Sequence, residues 1–210
     1  MDTAVALVQT YLNINGYFTV VEYPVLEASR DHARSVTDLD VLAFRFPHAG
    51  HQVVKGHQQV PLSGHVFEPD AALGCPGDRP DMIVGEVKES AARFNDATCD
   101  PAVLQIALAR FGCCPLDHSA HLAERLLSRG SVETPSGHTV RMIAFGSVPD
   151  ATARAHWTTI SMHHVVKFLR DYVQQHWNVL RHAQIKDSTL GLLALLQKFK
   201  VADQTRDDSR

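Results

Sequence analysis

Several features are scarce in this sequence, and each scarcity excludes a class of protein. The 210 residues include only four cysteines, none in a Cys-x-x-Cys pair, so we expect reduced core thiols rather than a disulfide framework or a structural zinc site. The longest apolar runs, such as Leu190–Leu196, are far shorter than the roughly 20 residues of a membrane-spanning helix. Residues 1–16 have neither a basic start nor a small-residue cleavage site, so a cytoplasmic protein is expected.

No charge of one sign predominates either. Lysine and arginine number 20, aspartate and glutamate 23, and the formal net charge is -3. A surface of this kind does not attract polyanions as a whole, so contact with nucleic acid requires a local basic patch or metal ions. With 45% apolar and 20% charged residues, the chain has the composition of one globular domain, which we place at residues 1–200.

Periodicity and turn residues predict the order helix, three strands, helix, strand and further helices. The first helix begins at Asp2 or Thr3 and stops at Asn15-Gly16, and a long Gly-, His- and Pro-rich loop covers Pro47–Pro80. The predicted strands are Tyr17–Leu26, Val36–Phe46, Asp81–Lys88 and Thr139–Phe145. The predicted later helices are Asp100–Phe111, His118–Arg129, Thr158–Arg181 and Leu190–Lys200, before a polar tail, Val201–Arg210.

Charged residues lie in two of these otherwise apolar strands. Alternation places Asp38 and Asp40 on one side of the second strand, and Glu86 and Lys88 on one side of the third. Burying such carboxylates is costly unless a cation or hydrogen bonds compensate. Carboxylate oxygens, water and substrate phosphates are the usual surroundings of Mg²⁺, and a lysine beside the metal can hold the attacking water.

The segment Thr-Asp-Leu-Asp-Val-Leu-Ala on one strand, followed by Gly-Glu-Val-Lys on the next, resembles the PD-(D/E)xK nuclease superfamily. The resemblance implies an α/β fold with a restriction-endonuclease-like αβββαβ core and a mixed sheet over residues 2–146, followed by C-terminal helices in 154–200. It implies that Asp40 and Glu86 bind Mg²⁺ or Mn²⁺, that the Val87 carbonyl adds a ligand and that Lys88 serves the water.

The resemblance also implies two auxiliary residues. Asp38 is an additional acid near the metal, and Gln105, on the following helix, corresponds to a glutamine that faces the site in some members. Two departures stand out: position 109, where such members have an aromatic residue, is Ala, and the Pro47–Pro80 segment replaces a short hairpin. Glu22 has the strand parity to reach the site, although an exposed edge carboxylate is the simpler interpretation.

Three other groups of residues have alternative interpretations. His48, His51, His57, His65 and Cys75 share the long loop, where irregular spacing favours a polar loop over a zinc site. Cys113 and Cys114 near His118 or His121 favour helix-end packing over a nucleophile, and His163-His164 diverge around a helix. The segment 154–186 has a local charge balance of +4, from Arg154, Lys167, Arg170, Arg181 and Lys186 against Asp171, and is the candidate phosphate-contacting face.

The functional prediction is a metal-dependent endonuclease that hydrolyses DNA phosphodiester bonds, in repair or in defence against foreign DNA. Many relatives act as dimers, which makes a homodimer a further expectation. The alternative is a catalytically inactive protein of the same fold that uses the His-rich loop and the C-terminal helices for binding or assembly.

Overall fold

A mixed β-sheet with helices packed on both faces forms the centre of the molecule. The computed structural model describes residues 2–28, 33–49, 51–52, 65–66, 69–148 and 156–207. Its strands are β1 (Phe18–Ala28), β2 (Ala33–Arg45), β3 (His51–Gln52), β4 (His65–Val66), β5 (Asp81–Ala91), β6 (Ser131–Glu133), β7 (Thr139–Val148) and β8 (Thr158–Ser161). Its α-helices are α1 (Thr3–Ile14), α2 (Pro101–Phe111), α3 (Leu116–Arg129), α4 (Met162–Gln175), α5 (Trp177–Leu180) and α6 (Ser188–Asp207), with a 3-10 turn at Ala71–Leu73.

The sheet has the strand order β1-β2-β5-β7-β6, with β8 also paired to β7. Strands β1, β2 and β5 are mutually antiparallel, whereas β7 runs parallel to β5. A parallel neighbour needs a crossover, and α2 and α3 supply it. The carboxyl ends of β5 and β7 therefore meet at one edge of the sheet, and the Glu86–Lys88 segment lies at that end of β5.

Alternation along the central strands divides the apolar core into two layers. On one face, α2 and α3 pack on Leu42, Met82, Val84 and Met142. On the other face, α1 and α4 pack on Val41, Ile83, Ile143 and Phe145. Strands that carry apolar residues on both faces need cover on both, which explains the continuous apolar runs of β5 and β7.

Local sequence signals set most of the helix boundaries. The Asp2 carboxylate caps α1 through the Ala4 N–H at 2.9 Å, and Asp100 caps α2 through the Ala102 N–H at 2.8 Å with Pro101 in the first turn. Gly112 and Gly130 end α2 and α3 in the left-handed conformation. These boundaries confirm the predicted ones.

Three sequence-based predictions of secondary structure were wrong. The segment Thr158–Ser161 is a strand, not the start of a helix, because its two threonines and Ile160 favour extended backbone; Ser161 then caps α4, which ends at Gln175. Helix α6 continues to Asp207 through most of the predicted polar tail. The Pro47–Pro80 loop contains β3, β4 and the 3-10 turn, while residues 53–64 lie outside the described part of the chain.

The exclusions drawn from composition are compatible with the fold. Within the described ranges, no helix is long and apolar enough to cross a bilayer. The four cysteines all lie in those ranges and form no disulfide. Burial raises the pKa of the Cys113 thiol to about 12, and this thiol packs in the core at the end of α2.

Replacing Gly130 with alanine is expected to destabilise the protein far more than the same change at Gly112. Both glycines end a helix with positive φ, which costs a residue with a Cβ about 1–2 kcal/mol. A Cβ at Gly130 would also lie 2.2 Å from the His156 carbonyl oxygen, whereas nothing lies within 4 Å of one at Gly112. Urea unfolding of Gly130→Ala and Gly112→Ala measures the difference, and equal losses would contradict the close approach.

Candidate active site

Strands β2 and β5 separate at the point where the predicted site residues lie. Their backbone pairing ends at Val41 opposite Gly85. Asp40 is the residue just before Val41 on β2. Its carboxylate takes the place of a backbone acceptor, because its Oδ2 accepts the Val87 N–H at 2.7 Å. A side chain thus occupies the gap between two strands that would otherwise continue to pair.

The same gap receives the Val87 carbonyl. A residue in a β-strand directs its N–H and its C=O toward the same neighbouring strand. Since the Val87 N–H points to Asp40, the carbonyl oxygen of Val87 is also directed to the gap between β2 and β5. Asp40 and Val87 therefore bring a carboxylate and a carbonyl, two kinds of hard oxygen ligand, to one place.

Glu86 is fully buried, with 0% of its surface exposed, and three donors hold its carboxylate. Asn95 donates to Oε1 at 2.8 Å, Thr98 donates to Oε2 at 2.7 Å, and Lys88 lies 2.5 Å from Oε1. Asn95 and Thr98 belong to the turn before α2, where the Asn95 side chain also accepts the Thr98 N–H at 2.6 Å. The start of the crossover helix thereby fixes the orientation of Glu86.

Lys88 neutralises part of this negative charge and reaches the surface. Its side chain keeps about a third of its area exposed, 34%, while its ammonium contacts the buried Glu86. An ammonium has three N–H donors, and the contact with Glu86 uses one. Within the described residues the other two have no protein partner, so they can donate to a water molecule or a phosphate oxygen at the mouth of the site.

Burial is the largest influence on Asp40 and raises its pKa above the ordinary aspartate value of 3.8. The negative charge of Glu86 adds to the rise, while the Val87 N–H and Lys88 oppose it. A raised pKa means that the folded protein holds the proton more tightly than the unfolded chain does. The contribution of Asp40 to stability therefore falls as the pH rises through that raised pKa, and a bound cation would offset this cost.

Two more carboxylates border the site. Asp2 also raises the pKa of Asp40, and the backbone N–H of Asp2 donates to Glu22 at 3.0 Å. Glu22 interrupts β1 with a positive φ of 51°, between the pairs Val21–Val41 and Tyr23–Leu39, so the register places it opposite Asp40. It is exposed, as the simpler interpretation of the sequence had it.

The two auxiliary candidates, Asp38 and Gln105, lie on β2 and α2. Asp38 is exposed and pairs across the ladder with Pro24, two residues along β2 from Asp40. Gln105 is half-buried on α2. Among the residues that the structure describes, no hydrogen bond joins Asp38 or Gln105 to Glu86 or Lys88.

The donor set fits one hard divalent cation bound mainly by water and substrate. In the described part of the chain, no group of three or more His, Cys, Asp or Glu side chains is placed to hold a metal ion. Asp40 and Glu86 are two carboxylates, and the Val87 carbonyl is a third oxygen. Mg²⁺ commonly has one or two carboxylates with waters and phosphates, so this smaller set suits it or Mn²⁺.

Sequence reasoning missed the residues that position Glu86. The local sequence marks Asn95 and Thr98 only as a polar turn before a capped helix, in which the Asn95 side chain accepts an N–H three residues on. It also missed a second polar contact on the opposite side of the sheet. There His164 lies 2.5 Å from Asp70, whose carboxylate also accepts the Tyr11 hydroxyl at 2.8 Å.

The other candidate groups lie apart from Glu86. Cys75 contacts the Tyr17 hydroxyl at 3.0 Å, and His57 of the zinc hypothesis lies outside the described residues. Helix α4 carries much of the basic segment and packs on the α1 face, opposite the face that bears Glu86. On α4, Lys167 pairs with Asp171 at 2.6 Å, and Arg154 of that segment is not among the described residues.

Comparisons of the chain with protein-family models, with curated proteins and with solved structures found no significant match. The family resemblance therefore depends on the two strand motifs and on the order of the elements. The activity that it implies is a proposal.

Proposed function

We propose that this protein is a metal-dependent nuclease that hydrolyses phosphodiester bonds in DNA, with Mg²⁺ or Mn²⁺ as the cofactor. One observation carries the proposal: Asp40, Glu86 and Lys88, chosen from sequence, converge where β2 and β5 separate. Residues that serve only as solvated strand charges have no reason to meet there, and a fully buried glutamate has a high desolvation cost.

The arrangement of the core supports the same proposal. Three antiparallel strands, a helical crossover and a parallel fourth strand are the elements of the restriction-endonuclease-like core that the resemblance implies. Helix α1 precedes them. We include this finer fold assignment in the proposal.

Charge explains why the site needs a cation. Asp40 and Glu86 carry two negative charges when ionised and Lys88 one positive charge, and Asp2 lies near enough to raise the pKa of Asp40. A phosphodiester brings another negative charge, so the site repels it without further neutralisation. A divalent cation cancels this negative charge and makes phosphate binding favourable.

Each residue then has a distinct part in hydrolysis. Asp40, Glu86 and the Val87 carbonyl would hold the cation, which when bound stabilises charge on the phosphate oxygens. Lys88 uses its remaining N–H donors to orient the attacking water on the accessible side of Glu86. Asn95 and Thr98 keep the Glu86 carboxylate from rotating.

One observation favours a second candidate, an inactive assembly protein of the same fold. The Glu86 carboxylate already has three protein partners, the pattern of a structural buried network. Each of its oxygens accepts two hydrogen bonds at most. Among the described residues Oε2 accepts from Thr98 alone, which leaves one position for a metal. Metal binding therefore discriminates between the two functions.

Mn²⁺ is expected to stabilise the wild-type protein and not the Asp40→Asn variant. At a free concentration of about one hundred times its dissociation constant, a ligand that binds only the native state adds roughly 2.7 kcal/mol to the free energy of unfolding. For a chain of this size, that corresponds to a rise of about 5–10 °C in the unfolding midpoint. Thermal unfolding in Mn²⁺ and in EDTA measures this shift. The control Asp117→Asn, at an exposed position on α3, keeps it. An equal shift in Asp40→Asn would contradict the proposed ligand.

A further inference from the structure

Aromatic rings are exposed on the edge strand β1 and just after the end of β2, beside the end of helix α2. Phe18 is 68% exposed and Phe46 55% exposed. Their ring centroids lie 6.1 Å apart, and the Phe46 centroid lies 4.6 Å from that of Phe44. We call Phe18, Phe44 and Phe46 the aromatic patch.

A shallow cavity of about 230 Å³ adjoins the aromatic patch. Its lining includes Phe18 and Phe44, with Val20 and Leu42 below them and Arg110 and Phe111 of α2 at the side. The Arg110 guanidinium also lies 5.5 Å from the centroid of the Tyr23 ring. The patch therefore combines open ring surface, a concave floor and one exposed positive charge.

The aromatic patch and the candidate active site share one face of the sheet. Phe44 packs against the core beneath α2 and α3, and Glu86 is bonded by the residues that lead into α2. The 11 residues of α2 span about 16 Å, from the turn that holds Glu86 to Arg110 and Phe111. Along β2, four residues separate Asp40 from Phe44, about 13 Å. The aromatic patch and the candidate active site therefore lie at opposite ends of α2, on the same face of the sheet.

The occupant of the cavity beside the aromatic patch follows from the chemistry of its lining. Flat ring faces beside a guanidinium are the elements that bind single-stranded nucleic acid, because unpaired bases stack on the rings and the cation meets the phosphates. Bases in a duplex are stacked on each other and offer no free face. The net charge of -3 excludes a strong general attraction for phosphates, so stacking must supply the affinity.

We propose that the aromatic patch stacks unpaired bases of a nucleic acid strand that runs along α2 to Asp40 and Glu86, so that the substrate is single-stranded at the site. This inference rests on the proposed nuclease function for its location and extends it to the choice of substrate. Arg110 neutralises a phosphate of the same strand.

The test compares binding of a fluorescent oligothymidylate and of a duplex in EDTA, which prevents cleavage. At physiological salt the patch is more than a Debye length from the carboxylates, so their charge does not mask binding there. Replacing both exposed rings, Phe18→Ala with Phe46→Ala, is expected to weaken oligothymidylate binding by about 5- to 150-fold for each stacked base. The conservative pair Phe18→Tyr with Phe46→Tyr keeps binding.

Phe199→Ala is the matched control, because Phe199 is 58% exposed on α6, in the C-terminal region. It leaves oligothymidylate binding unchanged. Arg110→Gln weakens binding and reduces its dependence on salt. Equal binding by wild type and the alanine pair, or stronger binding of duplex than of single strand, would overturn the inference. A wild-type dimer that the alanine pair abolishes, without any change in nucleic acid binding, would assign the patch to a second copy and also overturn it.

The failure of this inference is distinguishable from that of the proposed function. If oligothymidylate binds through the rings but is never cleaved in Mg²⁺ or Mn²⁺, the patch is a binding surface and the nuclease proposal fails. If cleavage depends on Glu86 and the alanine pair cleaves and binds single strands like wild type, the nuclease proposal stands and the patch does not bind bases.

Discussion

Glu86→Gln is expected to reduce metal-dependent cleavage by a factor of about 10²–10³, the loss typical of removing one preorganised electrostatic group from an active site. The change removes the buried negative charge that would hold the cation. It also replaces the ionic contact of Lys88 with Glu86 at 2.5 Å by a weaker hydrogen bond to a neutral amide, which holds the lysine less firmly beside the water.

The fold should survive this substitution, which makes the result interpretable. The glutamine carbonyl can accept from Lys88 and Asn95 in place of Oε1, and its amide can donate to the Thr98 hydroxyl, which rotates to accept. Circular dichroism and the unfolding midpoint check that folding is retained.

Glu89→Gln is the matched control for Glu86→Gln, because Glu89 is exposed on the same strand. It should cleave like wild type. A Glu86→Gln protein that remains as active as Glu89→Gln would show that the cleaving site lies elsewhere.

Asp81→Asn is expected to lower the free energy of unfolding by about 3–5 kcal/mol, because it breaks a buried ion pair. Asp81 is 0% exposed and its carboxylate receives Arg141 Nε at 2.9 Å and Nη2 at 2.6 Å. The Tyr17 hydroxyl also donates to it. Burial by itself would lower the pKa of Arg141, but the hydrogen bonds and the charge of Asp81 outweigh burial and raise that pKa. The guanidinium therefore stays charged, and the substitution would leave it without its counterion.

Two controls support the interpretation of Asp81→Asn. Asp78→Asn alters an exposed partner of Arg79 and should leave the unfolding curve unchanged. The double variant Asp81→Leu with Arg141→Met removes both charges together and should recover much of the loss. Urea unfolding measures all three, and a double variant less stable than Asp81→Asn would contradict the account of an uncompensated charge.

The central strands and their helices were predictable because local signals and burial agree there. The apolar stretch from Met82 to Gly85 has one interpretation, a strand covered on both faces, and Asp100-Pro101 followed by Gly112 marks both ends of α2. Prediction failed where the local sequence pattern and the pairing within the sheet favoured different structures. Thr158–Ser161 borders a helical pattern, but its β-branched residues pair with β7, a choice that only the finished sheet decides.

The candidate site was likewise predictable only in part. Asp40, Glu86 and Lys88 could be chosen from sequence because charges in an apolar strand have few explanations. The separation of β2 and β5, which lets Asp40 accept the Val87 N–H, is a property of pairing between residues 47 positions apart. Asn95 and Thr98 resemble any polar turn until Glu86 lies against them, so no local pattern assigns them to the site.

The most direct test of the central claim is cleavage of a labelled panel of single-stranded, double-stranded and branched DNA, with RNA, in Mg²⁺, Mn²⁺ or EDTA. Wild type, Glu86→Gln and Glu89→Gln are compared side by side. The account predicts cutting by wild type and Glu89→Gln that requires metal and that Glu86→Gln lacks. Cutting that persists in EDTA or in Glu86→Gln, or no cutting of any substrate by wild type, would contradict it.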